Sequence, residues 1–183
     1  MADIHYLDQP LETEALLKRL CPPVRNWFKD QFPDFTRPQK LAIPAIIEQE
    51  HLLLCSPTGS GKTLTAFLSI IDQLVRRALD GKLEKRVYCV YISPIKALAN
   101  DIQRNLLGPL KEISDRYLPD RAQEIKVGLR TGDTPQSERQ KMLRNPPHIL
   151  ITTPESLAIA ITSPRFQPIV SEVEYMIIDE LHS

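Results

Sequence analysis

Two clusters of residues, far apart in the chain, have the types and spacing to handle a phosphate ester. The first is Ser56-Pro57-Thr58-Gly59-Ser60-Gly61-Lys62-Thr63. Its glycines let backbone N–H groups converge on one phosphate-sized concavity, and a helix starting at its end would add aligned dipoles. Lys62 would reach the β- and γ-phosphates, and Thr63 would offer a hydroxyl to Mg²⁺. The second cluster, Asp179-Glu180-Leu181-His182, follows an apolar run. If that run is a strand, two carboxylates leave its carboxyl end, where open α/β sheets bind their ligands. Asp179 would hold Mg²⁺ through its hydration shell, and Glu180 would orient or deprotonate the water attacking a γ-phosphate. Acidic residues often simply close a strand. The phosphate loop upstream gives these a purpose, with ATP and Mg²⁺ as the implied pair.

For these groups to work together, the chain must supply a strand and a helix around the loop and a strand before the acids. Five apolar, partly β-branched runs read as strands, at 51–55, 86–93, 124–130, 148–153 and 173–179. Between the first two, Leu64, Phe67, Leu68, Ile71, Leu74, Val75 and Ala78 recur at helical spacing, stopped by Asp80-Gly81. Strands alternating with helices predict an α/β P-loop nucleotide-binding domain, a mostly parallel sheet flanked by helices with right-handed crossovers. Upstream only helices fit, over 11–20, 24–32 and 39–49, punctuated by Pro22-Pro23 and Arg37-Pro38. Residues 1–35 thus read as a helical lead-in and 36–183 as the domain itself.

The 183 residues are 42% hydrophobic and 25% charged, room for one domain with a genuine core and too little for a two-domain motor. Lys and Arg together number 23, as do Asp and Glu, so no whole-molecule field draws the chain to nucleic acid or membrane. The basic stretch Arg76, Arg77, Lys82, Lys85, Arg86 is interleaved with Asp72, Asp80 and Glu84 and reads as a solvated helix end. Cys21, Cys55 and Cys89 lack metal-site or disulfide spacing, which points to a reducing compartment. No signal-peptide layout and no membrane-length apolar run is present, so the expectation is a cytoplasmic protein with no membrane partner.

With both halves of an ATP site in view, the chain resembles superfamily 2 helicases from about Val24 onward. Ser56 stands where the phosphate-loop pattern usually has Gly, but members of that superfamily commonly carry another small residue there. Phe35-Thr36-Arg37-Pro38-Gln39 is similar to the adenine-reading Q motif, with Pro44 in the family's usual place. By that similarity Gln39 would pair with the adenine edge and Phe35 or a neighbour would cover its face. From the residues alone, a Gln at a helix start is more often a capping group. The block from Tyr91 through Ser93, Pro94 and Lys96 to Asp101 resembles motif Ia, and Thr152-Thr153-Pro154-Glu155 resembles motif Ib. The wording of the first, and Trp27-Phe28, look most like the large helicase-related (Lhr) family.

In that family these loops, with Arg130-Thr131-Gly132, grip one nucleic-acid strand along its phosphates, and His182 would link the ATP site to it. The chemistry agrees, because each loop follows a strand end, carries hydroxyls or small residues, and opens a helix. Ordinary strand-to-helix turns also favour Ser and Thr as caps. The resemblance implies the first RecA-like lobe of an ATP-dependent 3′-to-5′ helicase or translocase on single-stranded DNA. RNA as substrate, or a nucleotide-gated binding module without turnover, are the alternatives. It also implies a partner in a second RecA-like domain of the same full-length chain, and a motif III strand between the phosphate-loop strand and the acidic strand. The sequence stops just after the acidic motif, so the sheet is expected to be truncated there, with a gap at its centre.

Overall fold

The structure, a computed structural model, describes residues 4–57, 59–94 and 102–180. They fall into two compact units. One comprises residues up to 76 with 104–120, the other 77–103 with the residues from 121 onward.

The first unit is helical. It holds α1 (Thr13–Arg19), α2 (Pro22–Gln31), α3 (Arg37–Ile47), most of α4 (Lys62–Leu79) and α5 (Gly108–Tyr117), the last led in by a π-helical turn, Gln103–Leu107. α2 and α3 form where the proline punctuation predicts them, each with a proline in its first turn that fixes the entry angle. Trp27 ties α2 to α5 through its indole N–H, which donates to Glu112 Oε2 at 2.7 Å. A fully buried carboxylate, Asp72 on α4, accepts from the Cys21 backbone N–H at 2.6 Å and from Arg76 Nε at 2.7 Å, while Arg76 Nη2 donates to the Arg19 carbonyl at 2.6 Å. Burying a charge is tolerable only with such saturation, so this knot fixes α4 against the turn joining α1 and α2.

The second unit is built on a parallel sheet of four strands: β1 (Cys89–Ile92), β2 (Val127–Arg130), β3 (Ile149–Thr152) and β4 (Tyr175–Ile178), in the order β2-β3-β1-β4. Helix α6 (Gln136–Arg144) lies between β2 and β3, and α7 (Pro154–Ile161) and α8 (Gln167–Val170) between β3 and β4. The two inner strands, β1 and β3, are buried at every position, as strands covered on both faces must be. One face packs Val87, Val90, Ile92 and Leu150 against Met142, Ala160 and Phe166. At the amino end of β4, Glu174 takes two hydrogen bonds from Arg77 and one from Arg86, and both guanidiniums lie over the Tyr88 ring at 4.5 and 4.2 Å. Burial alone would raise the Glu174 carboxyl, but the two arginines reverse that and hold it below the ordinary carboxylate value.

One expected element is corrected. Residues 51–57 join no ladder, so no strand forms over 51–55, and Leu53 is 72% exposed. A strand exists only by pairing. The side of β4 away from β1 also has no strand partner among the described residues. Backbone amides at Leu52, Leu53 and Leu54 should therefore exchange with solvent at least about a hundredfold faster than those of Val90, Tyr91, Leu150 and Ile151. Equal protection in hydrogen-exchange mass spectrometry would mean that 51–55 pairs after all.

Candidate nucleotide site and nucleic-acid interface

The phosphate loop lies in the first unit and ends where α4 begins. Gly59 and Gly61 have φ of +79° and +85°, left-handed backbone that side chains resist. Gly61 is doubly constrained, because a Cβ there would meet Gln39 Nε2 at 2.9 Å. Lys62 Nζ donates to the carbonyls of Ser56 and, at 3.1 Å, Pro57, and the Ser56 and Ser60 hydroxyls share a hydrogen bond of 2.5 Å. Thr63, in the first turn of α4, is half-buried. Thr58 lies outside the described residues.

Helix α3 supports this loop. Thr36 Oγ1 donates to the Ser60 carbonyl at 3.0 Å, and Gln39 Oε1 accepts from the Thr36 N–H at 2.8 Å. Gln39 is thus a capping residue, only 4% exposed, whose remaining amide end faces Gly61. Phe35 is equally buried, its ring stacked on Phe28 at 3.8 Å. Neither side chain offers an open edge or face as placed here. Phe32 is the more exposed ring of that cluster, 5.0 Å from Phe28. Thr36 was not among the residues singled out from the sequence, although an N-cap threonine three residues before a Gln is a readable signal.

The acidic end lies in the second unit. Asp179 N–H donates to the Ile92 carbonyl at 2.9 Å, continuing the ladder one residue past β4. Its carboxylate takes the Tyr91 hydroxyl at 2.5 Å on Oδ2 and the Glu180 N–H at 3.0 Å on Oδ1. Glu180 is exposed, with φ of +52°, a left-handed conformation that costs a side chain of this kind of the order of 1–2 kcal/mol. Leu181 and His182 lie outside the described residues. No group of three or more metal-ligating side chains occurs among the described residues. A single carboxylate such as Asp179 nevertheless suits Mg²⁺, which keeps several waters and takes few protein ligands beside phosphate oxygens.

Strand register brings the other candidates together. Arg130, Thr152, Ile92 and Ile178 lie in one row across the sheet, so the residues after them emerge side by side on its carboxyl edge. Ser93 is buried there, and its hydroxyl has no hydrogen-bond partner among the described residues. Pro94, Thr131, Gly132, Pro154 and Glu155 are partly or fully exposed on this edge, while Lys96 lies outside the described residues. Thr152 and Thr153 are buried and occupied: Thr152 Oγ1 donates to the Arg130 carbonyl at 2.8 Å, and Thr153 Oγ1 accepts from the Ser156 N–H at 3.3 Å, capping α7. They offer a ligand position rather than side-chain hydroxyls. Arg130 is 8% exposed, its guanidinium 4.3 Å from the Phe166 ring, and burial followed by repulsion from Arg139 lowers its pKa. Arg139, which the sequence reading passed over, organises the neighbouring loop by donating to the carbonyls of Thr134 at 2.8 Å and Gly132 at 2.8 Å. No local signal marks that role.

Comparison with known proteins places these features in company. Residues 36–183 match the DEAD/DEAH box helicase family. The chain is 49% identical over 185 residues to the ATP-dependent helicase Lhr-Core of Methanocaldococcus jannaschii, covering 100% of this chain and 22% of that protein. It is 55% identical over 165 residues to the Lhr-Core helicase of Methanothermobacter thermautotrophicus, covering 90% and 19%. Among solved structures it resembles the Mycobacterium smegmatis helicase Lhr bound to ssDNA and AMP-PNP, with 42% identity and a TM-score of 0.78 over 91% of this chain and 21% of that one. The chain thus spans about a fifth of the length of these relatives.

Gly61→Ala should lower affinity for a fluorescent ATP analogue by more than about tenfold, since the left-handed backbone alone costs about 1–2 kcal/mol and Gln39 blocks relaxation. Unchanged affinity would mean that the loop binds phosphate in another conformation.

Proposed function

Since this chain belongs to the DEAD/DEAH box helicase family, we propose that it is the ATP-binding lobe of an ATP-dependent helicase or translocase that moves 3′ to 5′ on single-stranded DNA. Residues 36–183 form the RecA-like domain and 1–35 its helical lead-in. The observation that carries the reading is the common carboxyl edge of the sheet, where Asp179 and the loops after β1, β2 and β3 emerge in one row. A nucleotide-sensing carboxylate and a strand-gripping surface built on the same edge can respond to each other.

Each residue's task follows from its chemistry. An ammonium has three donors, and two of those of Lys62 are accounted for by the Ser56 and Pro57 carbonyls. Those carbonyls hold it at the loop, ready to exchange one for a β- or γ-phosphate oxygen. The N–H groups of 59–63 and the α4 dipole take the rest of the triphosphate charge. Thr63 and Asp179 would hold Mg²⁺, which when bound neutralises developing phosphate charge. Glu180, exposed and next in sequence, would orient the attacking water. Gln39 holds the loop through the cap, and Phe32, the more exposed ring, supplies the aromatic surface beside the base. Arginines of a second RecA-like lobe would complete the transition state.

Strand contacts on the carboxyl edge go to phosphates. Ser93, the turn from Thr131 to Gly132 and the amino end of α7 at Pro154 present small residues and helix N–H groups, which carry no base information. Likeness to Lhr, solved with ssDNA, favours DNA.

In the intact protein, Lys62→Ala should abolish ATP turnover while single-strand affinity stays within about threefold, and Glu180→Gln should retain ATP and the bound strand together. Turnover is measured with ssDNA and ssRNA side by side, and displacement on 3′- and 5′-tailed duplexes. Stimulation by RNA alone would turn the assignment to an RNA helicase. Near-normal turnover by Lys62→Ala would remove the phosphate-loop assignment.

A further inference from the structure

Two buried tyrosines stand on or beside β1, and their hydroxyls do different things. Tyr88, just before the strand, takes the Glu84 N–H at 2.9 Å and carries two guanidiniums on its ring, a wholly internal role. Tyr91, 2% exposed in mid-strand, sends its hydroxyl toward the carboxyl edge to Asp179 Oδ2 at 2.5 Å. The register explains the reach. Tyr91 pairs with Ile177 on β4, so Asp179, two residues on, is the next side chain on the same face. Val90 and Ile92 point the other way, into the apolar core.

We propose that Tyr91 is a positioning residue for the metal-binding carboxylate: its phenol fixes the rotamer of Asp179 and thereby sets the affinity of the site for Mg²⁺. This rests on the reading of Asp179 as the Mg²⁺ residue.

A carboxylate has about four lone-pair directions. Here one on Oδ2 is taken by Tyr91, one on Oδ1 by the Glu180 N–H, and the main chain at Asp179 is pinned by the Ile92 carbonyl. Three fixed points hold the carboxylate in one orientation at the end of β4. A phenol hydroxyl donates to the carboxylate it touches, so it holds Asp179 without competing for the cation. It also draws charge from the oxygen it touches. That favours binding through the hydration shell, since the oxygens are already partly satisfied. A tyrosine in a strand otherwise made of Cys89, Val90 and Ile92 is a costly way to fill a core unless its hydroxyl is used, because a buried hydroxyl must find a partner. Outer-shell donors of this kind typically change metal affinity or activity by about 10–100-fold when removed.

The variant that isolates the hydroxyl is Tyr91→Phe, which keeps the buried ring. In the intact protein, affinity for a fluorescent ATP analogue is measured in EDTA and in Mg²⁺, and the half-saturating Mg²⁺ for strand-stimulated turnover alongside. For Tyr91→Phe the affinity in EDTA should stay within about twofold of wild type. The gain in affinity on adding Mg²⁺ should shrink, and half-saturating Mg²⁺ should rise, each by about tenfold, with kcat at saturating Mg²⁺ nearly restored. In an Asp179→Asn background, Tyr91→Phe should change neither quantity further. An unaltered Mg²⁺ response in Tyr91→Phe, while Asp179→Asn loses it, overturns the inference and leaves the site intact. An equal loss of affinity in EDTA makes Tyr91 a packing residue and also overturns it. A normal Mg²⁺ response in Asp179→Asn removes the assignment of Asp179 itself, and the inference with it.

Discussion

Everything of functional interest in the second unit depends on parallel strands ending flush. The pairs Ile92 with Thr152, Ile92 with Ile178, and Arg130 with Thr152 fix the row from which four loops depart. Because side chains alternate with a period of two, a slip of one residue in any pair would turn that strand's contribution to the opposite face. Tyr91 could then no longer reach Asp179, and Ser93 and Thr153 would leave the shared edge. The buried inner strands make such slips expensive, since Val90 and Leu150 would exchange the apolar core for positions now held by their neighbours.

The two phosphate-handling clusters are held by different physics. The loop at 56–63 is supported from α3, by a threonine hydroxyl on a loop carbonyl and by the Gln39 amide packed where Gly61 has no side chain. The acids are supported across the sheet, by a tyrosine from the neighbouring strand and by a peptide N–H. The first support joins α3 to a loop 24 residues on. Cross-strand support is non-local and exists only once β1 and β4 have paired. At Glu180 the chain leaves the ladder in a left-handed turn, as often happens where a side chain must be aimed rather than buried.

Much of this was written in local patterns. The apolar stripe from Leu64 to Ala78 specified α4, the prolines at 22–23 and 38 marked helix starts, and the glycine spacing marked the loop. What escaped was non-local. The segment at 51–55 has strand composition, but pairing is a property of two segments, so composition could not guarantee a ladder. Thr152 and Thr153 have the right chemistry for phosphate, and only the fold reveals that one hydroxyl bonds a neighbouring strand and the other caps a helix. Tyr91 read as part of an apolar run, because its contact with Asp179 arises from register alone. The lowered basicity of Arg130 depends on burial and on Arg139 from another element, which no window of sequence contains.

Arg130 carries one more implication. Its guanidinium is buried over Phe166 with a second cation near it, and an arginine does not lose its proton to escape such a place. The native state therefore bears an electrostatic debit that any polyanion bound nearby would relieve, and binding to the native state alone shifts the folding equilibrium by mass action.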